Sequence, residues 1–265
     1  MEKAFVNISK ELVLSGAITA KMMLVLSYLR IFASYLDEVR ISIVWLVQNI
    51  GYKPKSGSGN ITQQIQQILF DLRDRGAIYF DDPESTTSQL KIKLDTSHPY
   101  FAPAGSFVQI TSDEFLRITG SSYKRRDWLL LVFFLIKGRM YYNARDQTMG
   151  VAYPSLKRLH AEIVGSEEKM SFNSLIKVLD ELVAGGLLKK YSVGEYFDGR
   201  PGVNEVRSFP VFYALWDQTI NPDECVRIAR DTLALKGIEV DRFFHKNDEN
   251  NWIEDDLDEY KEELI

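Results

Sequence analysis

Ile61, Ile65, Ile68, Leu69 and Leu72 recur at spacings of three and four, which predicts an amphipathic helix from Ile61 to Arg75 that Gly76 ends. Gln89–Leu94 alternates with period two, as a half-buried strand does. With Ala77–Phe80 on the other side of a polar stretch, DDPESTTS, it predicts a hairpin. Residues 19–36 are strongly apolar and lack Pro and Gly, so they predict a buried helix with Thr19 as N-cap. Val39–Ile41 predicts a short extended piece. Ser42 then caps a short helix that Gly51 stops, and Tyr52–Asn60 predicts a loop.

The same order recurs. Phe107–Thr111 (FVQIT) echoes Phe5–Ser9 (FVNIS), and Trp128–Lys137 predicts a second buried helix. Met149–Tyr153 is extended, and Ser155 opens a helix through Leu159 and Ile163 that stops near Gly165. A polar turn, Ser166–Lys169, leads to Ser171 and a helix with Leu175, Val178, Leu179 and Leu182 on one face. Gly185-Gly186 closes it. Leu187–Val193 and Glu205–Tyr213 predict strands around a Gly/Pro-rich tip, GEYFDGRPGVN. Asp71–Ile78 and Glu181–Leu188 share a local signature, so an internal duplication is expected. Asn221 and Pro222 mark a last helix through Val226, Ala229 and Leu233. Residues 246–263 are too polar for a core and are expected to be mobile.

The expected fold is thus α+β and mostly helical. The expected division is 1–100, 101–215, and 216–265 as a C-terminal helix with an acidic tail. Over 265 residues the net charge is −5, which at first argues against nucleic acid. Residues 1–100 carry 11 basic and 10 acidic side chains, and residues 101–215 carry 15 and 12. The last fifty carry 6 and 15, so the acidity sits in one segment and the rest is mildly basic. A single cysteine, Cys225, excludes an internal disulfide and a cysteine zinc site. The longest apolar run, Trp128–Ile136, is nine residues, too short to span a bilayer. The first residues hold no apolar stretch of signal-peptide length, so a cytoplasmic protein with no membrane partner is expected.

The stretch Tyr153-Pro-Ser-Leu-Lys-Arg-Leu-His-Ala-Glu-Ile163, with Ser171–Leu182 and Gly186-Leu-Leu-Lys-Lys190, resembles the winged-helix pattern of bacterial regulators and replication proteins. Two such units in tandem over residues 5–215 resemble the replication initiators of bacterial plasmids and mobile elements. They are also similar to DnaD-type primosome proteins and phage replisome organisers. The resemblance implies two winged helix-turn-helix units, duplex DNA as partner and a role in starting replication. The acidic segment lies outside it. A helicase or helicase loader is the partner expected there, and a homo-oligomer is compatible with the apolar helices.

A recognition helix offers its exposed side chains to base edges in the major groove. In the first unit these are Asn60, Thr62, Gln63, Gln66 and Gln67, with Lys53 and Lys55 placed for phosphates. In the second they are Ser171, Asn173, Ser174 and Lys177, with Lys169 before them and Lys157 and Arg158 on the preceding helix. Lys189, Lys190, Arg200 and Arg207 belong to the second wing and suit phosphate or the minor groove. Lys124-Arg125-Arg126 is a further basic run. If both units face one side, they read successive major grooves roughly 10 bp apart. Each of these residues also has a plain reading as a solvated surface side chain.

Enzyme chemistry is not expected. His98, His160 and His245 lie far apart without metal-ligand spacing. Gly51–Gly59 is Gly-rich and basic but lacks the Gly-Lys-Ser/Thr ending of a phosphate loop. No Gly-x-Ser-x-Gly occurs, Cys225 has no visible activating partner, and the acidic run has no calcium-loop pattern. No cofactor or metal is expected. Two other readings stay open: a winged-helix transcriptional regulator, and a protein–protein scaffold built from winged-helix modules.

Overall fold

The structure, a computed structural model, describes residues 4–55, 57, 59–140, 142–143, 148–165, 169–198, 200, 205–240, 242–246 and 252–254. From the N-terminus, β1 (Phe5–Ser9) runs into α1 (Lys10–Leu14), then α2 (Ala20–Ile31), β2 (Glu38–Ile41), α3 (Ile43–Asn49), α4 (Ile61–Asp74) and the hairpin strands β3 (Ile78–Tyr79) and β4 (Leu90–Leu94). The series then restarts with β5 (Phe107–Thr111), α5 (Ser112–Gly120) and α6 (Arg126–Lys137). It continues with β6 (Tyr142–Asn143), β7 (Thr148–Met149), α7 (Leu156–Gly165), α8 (Phe172–Ala184) and β8 (Leu188–Tyr191). Beyond lie β9 (Glu195–Asp198), β10 (Glu205–Ser208), β11 (Phe212–Leu215), α9 (Pro222–Ala234), β12 (Phe244–Lys246) and β13 (Trp252–Glu254). The fold is α+β.

Local chemistry explains most boundaries. The side chains of Thr19, Ser42, Ser171 and Asn221 accept the backbone N–H three residues on, as N-caps do. Thr111 and Glu114 form a reciprocal capping box at α5. Gly76 and Gly186 take φ of 76° and 65° just past α4 and α8, the conformation that frees the chain to turn into a strand. The buried helix ends at Ile31, earlier than expected. Tyr35 and Leu36 are exposed in the turn that follows.

The two halves are joined through equivalent positions. β1 and β5 pair antiparallel with Asn7 opposite Gln109, and both are the middle residue of their strand. A ribbon with that register has a local twofold axis. α2 and α6, apolar on nearly every side, pack against each other. Lys21 and Asp127, each the second residue of its helix, meet at 3.7 Å. α1 packs on α7, and the end of α3 closes on the end of α5. The contacts are therefore reciprocal, as across a homodimer axis.

The three-stranded sheet of the first half runs β2–β4–β3. In the second half Ala152 bridges Tyr213 of β11, and β11 lies beside β8, so the order recurs with β2 reduced to one bridge. Contacts group residues 1–139 and 156–188 as one compact unit, and 140–155 and 189–265 as another. The expected cuts at 100 and 215 fall inside these units. The first is bridged by the β1–β5 ribbon and the α2–α6 pair. The second is bridged by the apolar cluster of Tyr196, Phe209, Phe212, Cys225, Leu233 and Phe243, which draws α9 onto β11.

Two expectations are corrected in that second unit. The tip GEYFDGRPGVN contains a strand: β9 pairs with β10, and residues 199 and 201–204 lie outside the described residues. The single strand expected over Glu205–Tyr213 is two strands, parted at Phe209 and Pro210 because proline cannot donate to a ladder. Within the stretch expected to be mobile, β13 pairs with β12, which also touches β9. Residues 247–251 and 255–263 of that stretch lie outside the described residues, as do 166–168 of the polar turn.

Gly51 sits at the joint between halves with φ 89°, and a Cβ there would stand 2.5 Å from the Thr119 carbonyl oxygen. Gly51→Ala is expected to cost about 2 kcal/mol or more in urea denaturation. Gly57→Ala, with φ 110° but open space around it, is expected to cost about half as much, since only backbone strain applies.

Candidate nucleic-acid interface

α4 and the loop before it form one stitched element. The Asn60 side chain caps the helix at Gln63 and also donates to the Gly57 carbonyl. Lys55 N–H donates to Thr62 Oγ1 at 3.2 Å, and Gly59 N–H donates to Gln63 Oε1 at 2.7 Å. Gln64 Nε2 donates back to the Gly59 carbonyl at 2.8 Å. The loop that presents Lys53 and Lys55, both exposed, is thereby fixed to the first turn of the helix.

These bonds revise the expected contact set. Thr62 is buried and holds the loop, so it faces the protein interior. Asn60 is half-buried and spent on capping. Gln66 is half-buried, while Gln63 and Gln67 are exposed, Gln67 bonding Asp71 at 2.9 Å. Gln64 is exposed and was missed; it stands next to Gln63, one step around the same polar face.

The second helix repeats the plan. Ser171 caps α8, with its hydroxyl 2.9 Å from that of Ser174. Lys169, Asn173 and Lys177 are exposed, and Ser174 is half-buried. The His160 ring stacks on Phe172 with centroids 4.1 Å apart, and its Nε2 is 2.7 Å from the Met170 carbonyl oxygen. On α7, Lys157 is exposed and Arg158 pairs with Glu162 at 3.5 Å. Thus α4 and α8 each offer polar and basic side chains at the N-terminal end, within the same compact unit.

The second wing differs from expectation. Asp198 is fully buried; Arg200 grips it through two bonds of 2.9 Å and also reaches the Lys236 carbonyl at 3.2 Å. Arg207 approaches Asp198 at 3.5 Å and bonds Glu205 at 3.1 Å. The hydrogen bonds from Arg200 hold the Asp198 carboxyl below the usual carboxylate range. Both arginines therefore compensate an interior carboxylate, which cannot be left unpaired. Lys189 is half-buried, bonding the Gln218 carbonyl at 2.9 Å over the Trp216 ring. Lys190 is exposed.

The basic run 124–126 is likewise mostly structural. Arg125 holds Asp127 by three bonds of 2.7–3.2 Å and lies over Trp128. Arg126 donates to the Ser121 carbonyl at 2.7 Å. Asp127 has no solvent exposure; Tyr52, just past α3, donates its hydroxyl to it at 2.8 Å and accepts its backbone N–H. Burial alone would push the Asp127 carboxyl up. The Arg125 bonds and charge, the Tyr52 hydroxyl and Lys21 outweigh it, so the net shift is downward. Burial, reinforced by the Asp127 charge, pushes the Tyr52 hydroxyl up, so it remains a donor.

Among the described residues no group of three or more His, Cys, Asp and Glu is placed to hold a metal ion, and no helix is long and apolar enough to cross a membrane. The Cys225 thiol is buried, and burial with Glu224 beside it pushes it up to about 11, which makes it a poor nucleophile. His98 stacks edge-on against Tyr100. Compared with protein-family models and with curated proteins, the chain matches none.

Because the folded Asp127 carboxyl ionises below its ordinary value, its contribution is present above about pH 4 and is lost as pH falls through the folded value. The acid limb of a urea-midpoint profile is expected to flatten in Asp127→Asn. Arg125→Ala at neutral pH is expected to lower stability by about 3 kcal/mol, since it strips a buried charge of its main partner.

Proposed function

We propose that the chain is a duplex-DNA-binding protein with two winged-helix units, acting in replication initiation of a plasmid, mobile element or phage-like system. The observation that carries the reading is the sheet order β2–β4–β3 around α3 and α4. Strand, helix, helix and hairpin in that order is the winged-helix plan, in which the second helix of the pair reads the groove. The recurrence of the order as Ala152, β11 and β8, with Ala152 before α7 in the chain and β8 and β11 after α8, supports a second unit.

Gln63, Gln64 and Gln67 on α4, exchanging their bonds to Gly59 and Asp71 for a base, and Asn173 and Lys177 on α8, are the side chains for base edges. Amides pair with adenine in two bonds, and lysine with guanine. Lys53, Lys55, Lys157 and Lys169 take phosphates, which fix register rather than sequence. Since the ribbon relates the halves by rotation, the two helices address the duplex in opposite senses. Their half-sites are inverted relative to each other, in grooves roughly 10 bp apart. The replication role rests on the tandem arrangement, which resembles plasmid initiators. The acidic segment 216–265 is the proposed contact for a helicase or its loader.

Duplex binding measured by anisotropy across a salt series tests this. Affinity is expected to fall steeply with salt, and Lys53→Glu with Lys55→Glu to weaken it about tenfold or more and flatten the slope. Gln63→Ala is expected to relax preference at one base position by about 1–3 kcal/mol. Absent or salt-independent binding overturns the DNA reading. A plasmid-maintenance assay with the charge-reversed variant separates replication from transcriptional control.

A further inference from the structure

The sheet of the first half offers a second candidate surface, whose larger hollow has no α4 residue in its lining. The outer face of β2–β4–β3 carries Arg40, Lys91, Lys93 and Tyr79, because Val39, Ile41, Leu90, Ile92 and Leu94 point into the core. Cross-strand register sets Arg40 opposite Lys91, and Lys93 between Glu38 and Tyr79. Beyond Arg40 the face opens into a hollow of about 470 Å³ whose walls include Tyr28, Arg40, Trp45, Asn49, Thr87 and Gln89. Trp45 is 64% exposed, an unusual setting for the largest side chain in the half. The rim is held in place: Val44 N–H donates to the Thr86 carbonyl at 3.1 Å, and Ser85 bonds the hydroxyls of Thr87 and Ser88. On the other side of the Arg40–Lys91 pair lies a smaller hollow of about 330 Å³, bounded by Arg73, Tyr79, Phe80 and Lys93.

The charges that face this surface are not balanced everywhere. Glu38 is taken by Lys91 at 2.8 Å, and Asp82 by Arg73 at 2.6 Å. Asp81 borders the smaller hollow. Among the described residues, Arg40 and Lys93 have no ion-pair partner, and Arg40 is the only charged group lining the larger hollow. That hollow therefore combines an exposed indole, a cation at its edge, and amide and hydroxyl groups that both donate and accept. Asn49 spends its amide N–H on the Trp45 carbonyl and keeps its oxygen, while Thr87 and Gln89 are exposed.

We propose that this hollow binds an unpaired nucleobase of single-stranded DNA. Trp45 stacks on the base, Asn49, Thr87 and Gln89 meet its edge, and Arg40 with Lys93 holds the flanking phosphates. A paired base has both faces covered by its neighbours and cannot lie on Trp45, so the surface selects single strands where α4 selects duplex. The proposal rests on the nucleic-acid reading and adds a second, strand-separated ligand to it.

The full-length chain and its Trp45→Ala, Trp45→Phe and Arg40→Ala variants test the idea, with fluorescein-labelled oligothymidine and a duplex of equal length as probes. Oligothymidine is expected to quench the tryptophan emission of the native chain. Trp45→Ala is expected to weaken oligothymidine binding about tenfold or more while Trp45→Phe restores most of it. Arg40→Ala is expected to weaken it and flatten its salt dependence. Duplex affinity is expected to stay unchanged in all three, and thermal melts to coincide because Trp45 and Arg40 are exposed. Equal oligothymidine affinity for Trp45→Ala and native chain overturns the proposal and leaves the duplex reading intact. So does a variant whose sedimentation changes while its oligothymidine affinity does not, which marks a contact between copies. Failure of both probes to bind overturns this proposal and the duplex reading together.

Discussion

Two helices that are apolar on nearly every side cannot each face water, and the mutual burial of α2 and α6 is what the rest of their compact unit, residues 1–139 and 156–188, is arranged around. α2 carries nine apolar side chains into the interior and α6 eight, and burying a large one is worth on the order of 1.5–3 kcal/mol, so the joint between the halves holds much of the apolar burial of both. The β1–β5 ribbon closes the same joint from a different side, and the Asp127 cluster closes it from a third. That cluster reaches out to Tyr52 at the end of α3. The loop carrying Lys53 and Lys55 leaves from that residue, so the position of one half's basic loop is set by a carboxylate of the other half.

The helix ends and the β3–β4 hairpin were legible because each is written in a few adjacent residues. Ser42, Thr19 and Asn221 cap what they were expected to cap, and the alternation in Leu90–Leu94 is the alternation of burial. The ribbon was not legible in the same way. FVNIS and FVQIT announce their likeness, yet nothing local says that they pair with each other. That takes a contact across about a hundred residues, which periodicity cannot report.

Exposure of the candidate residues was legible where it follows from helical spacing and illegible where a charge has a private partner. Lys177 and Gln63 are on the surface as the spacing implies. Arg200 and Arg207 are basic residues in a wing, but Asp198 is drawn inward and takes both. Thr62 sits on the polar side of a helical wheel, yet a loop lies over it and uses its hydroxyl. Burial of Asp198 and of Thr62 arises from chain segments that fold over them, and those cannot be inferred from the residue's own neighbours. The strand hidden in the Gly/Pro tip was missed for a related reason: its partners, β10 and β12, supply the pairing that its own composition does not promise.

The pair Lys21 and Asp127 also confers selectivity. In a dimer of identical halves, one residue type would meet itself at that position across the axis, lysine against lysine or aspartate against aspartate, and the like charges would repel. Opposite charges can face each other there only when the two halves differ in sequence at this position, as they do here. Two identical halves brought together at this position would restore the repulsion, so the pair favours contact between the two different halves over contact between two copies of either one.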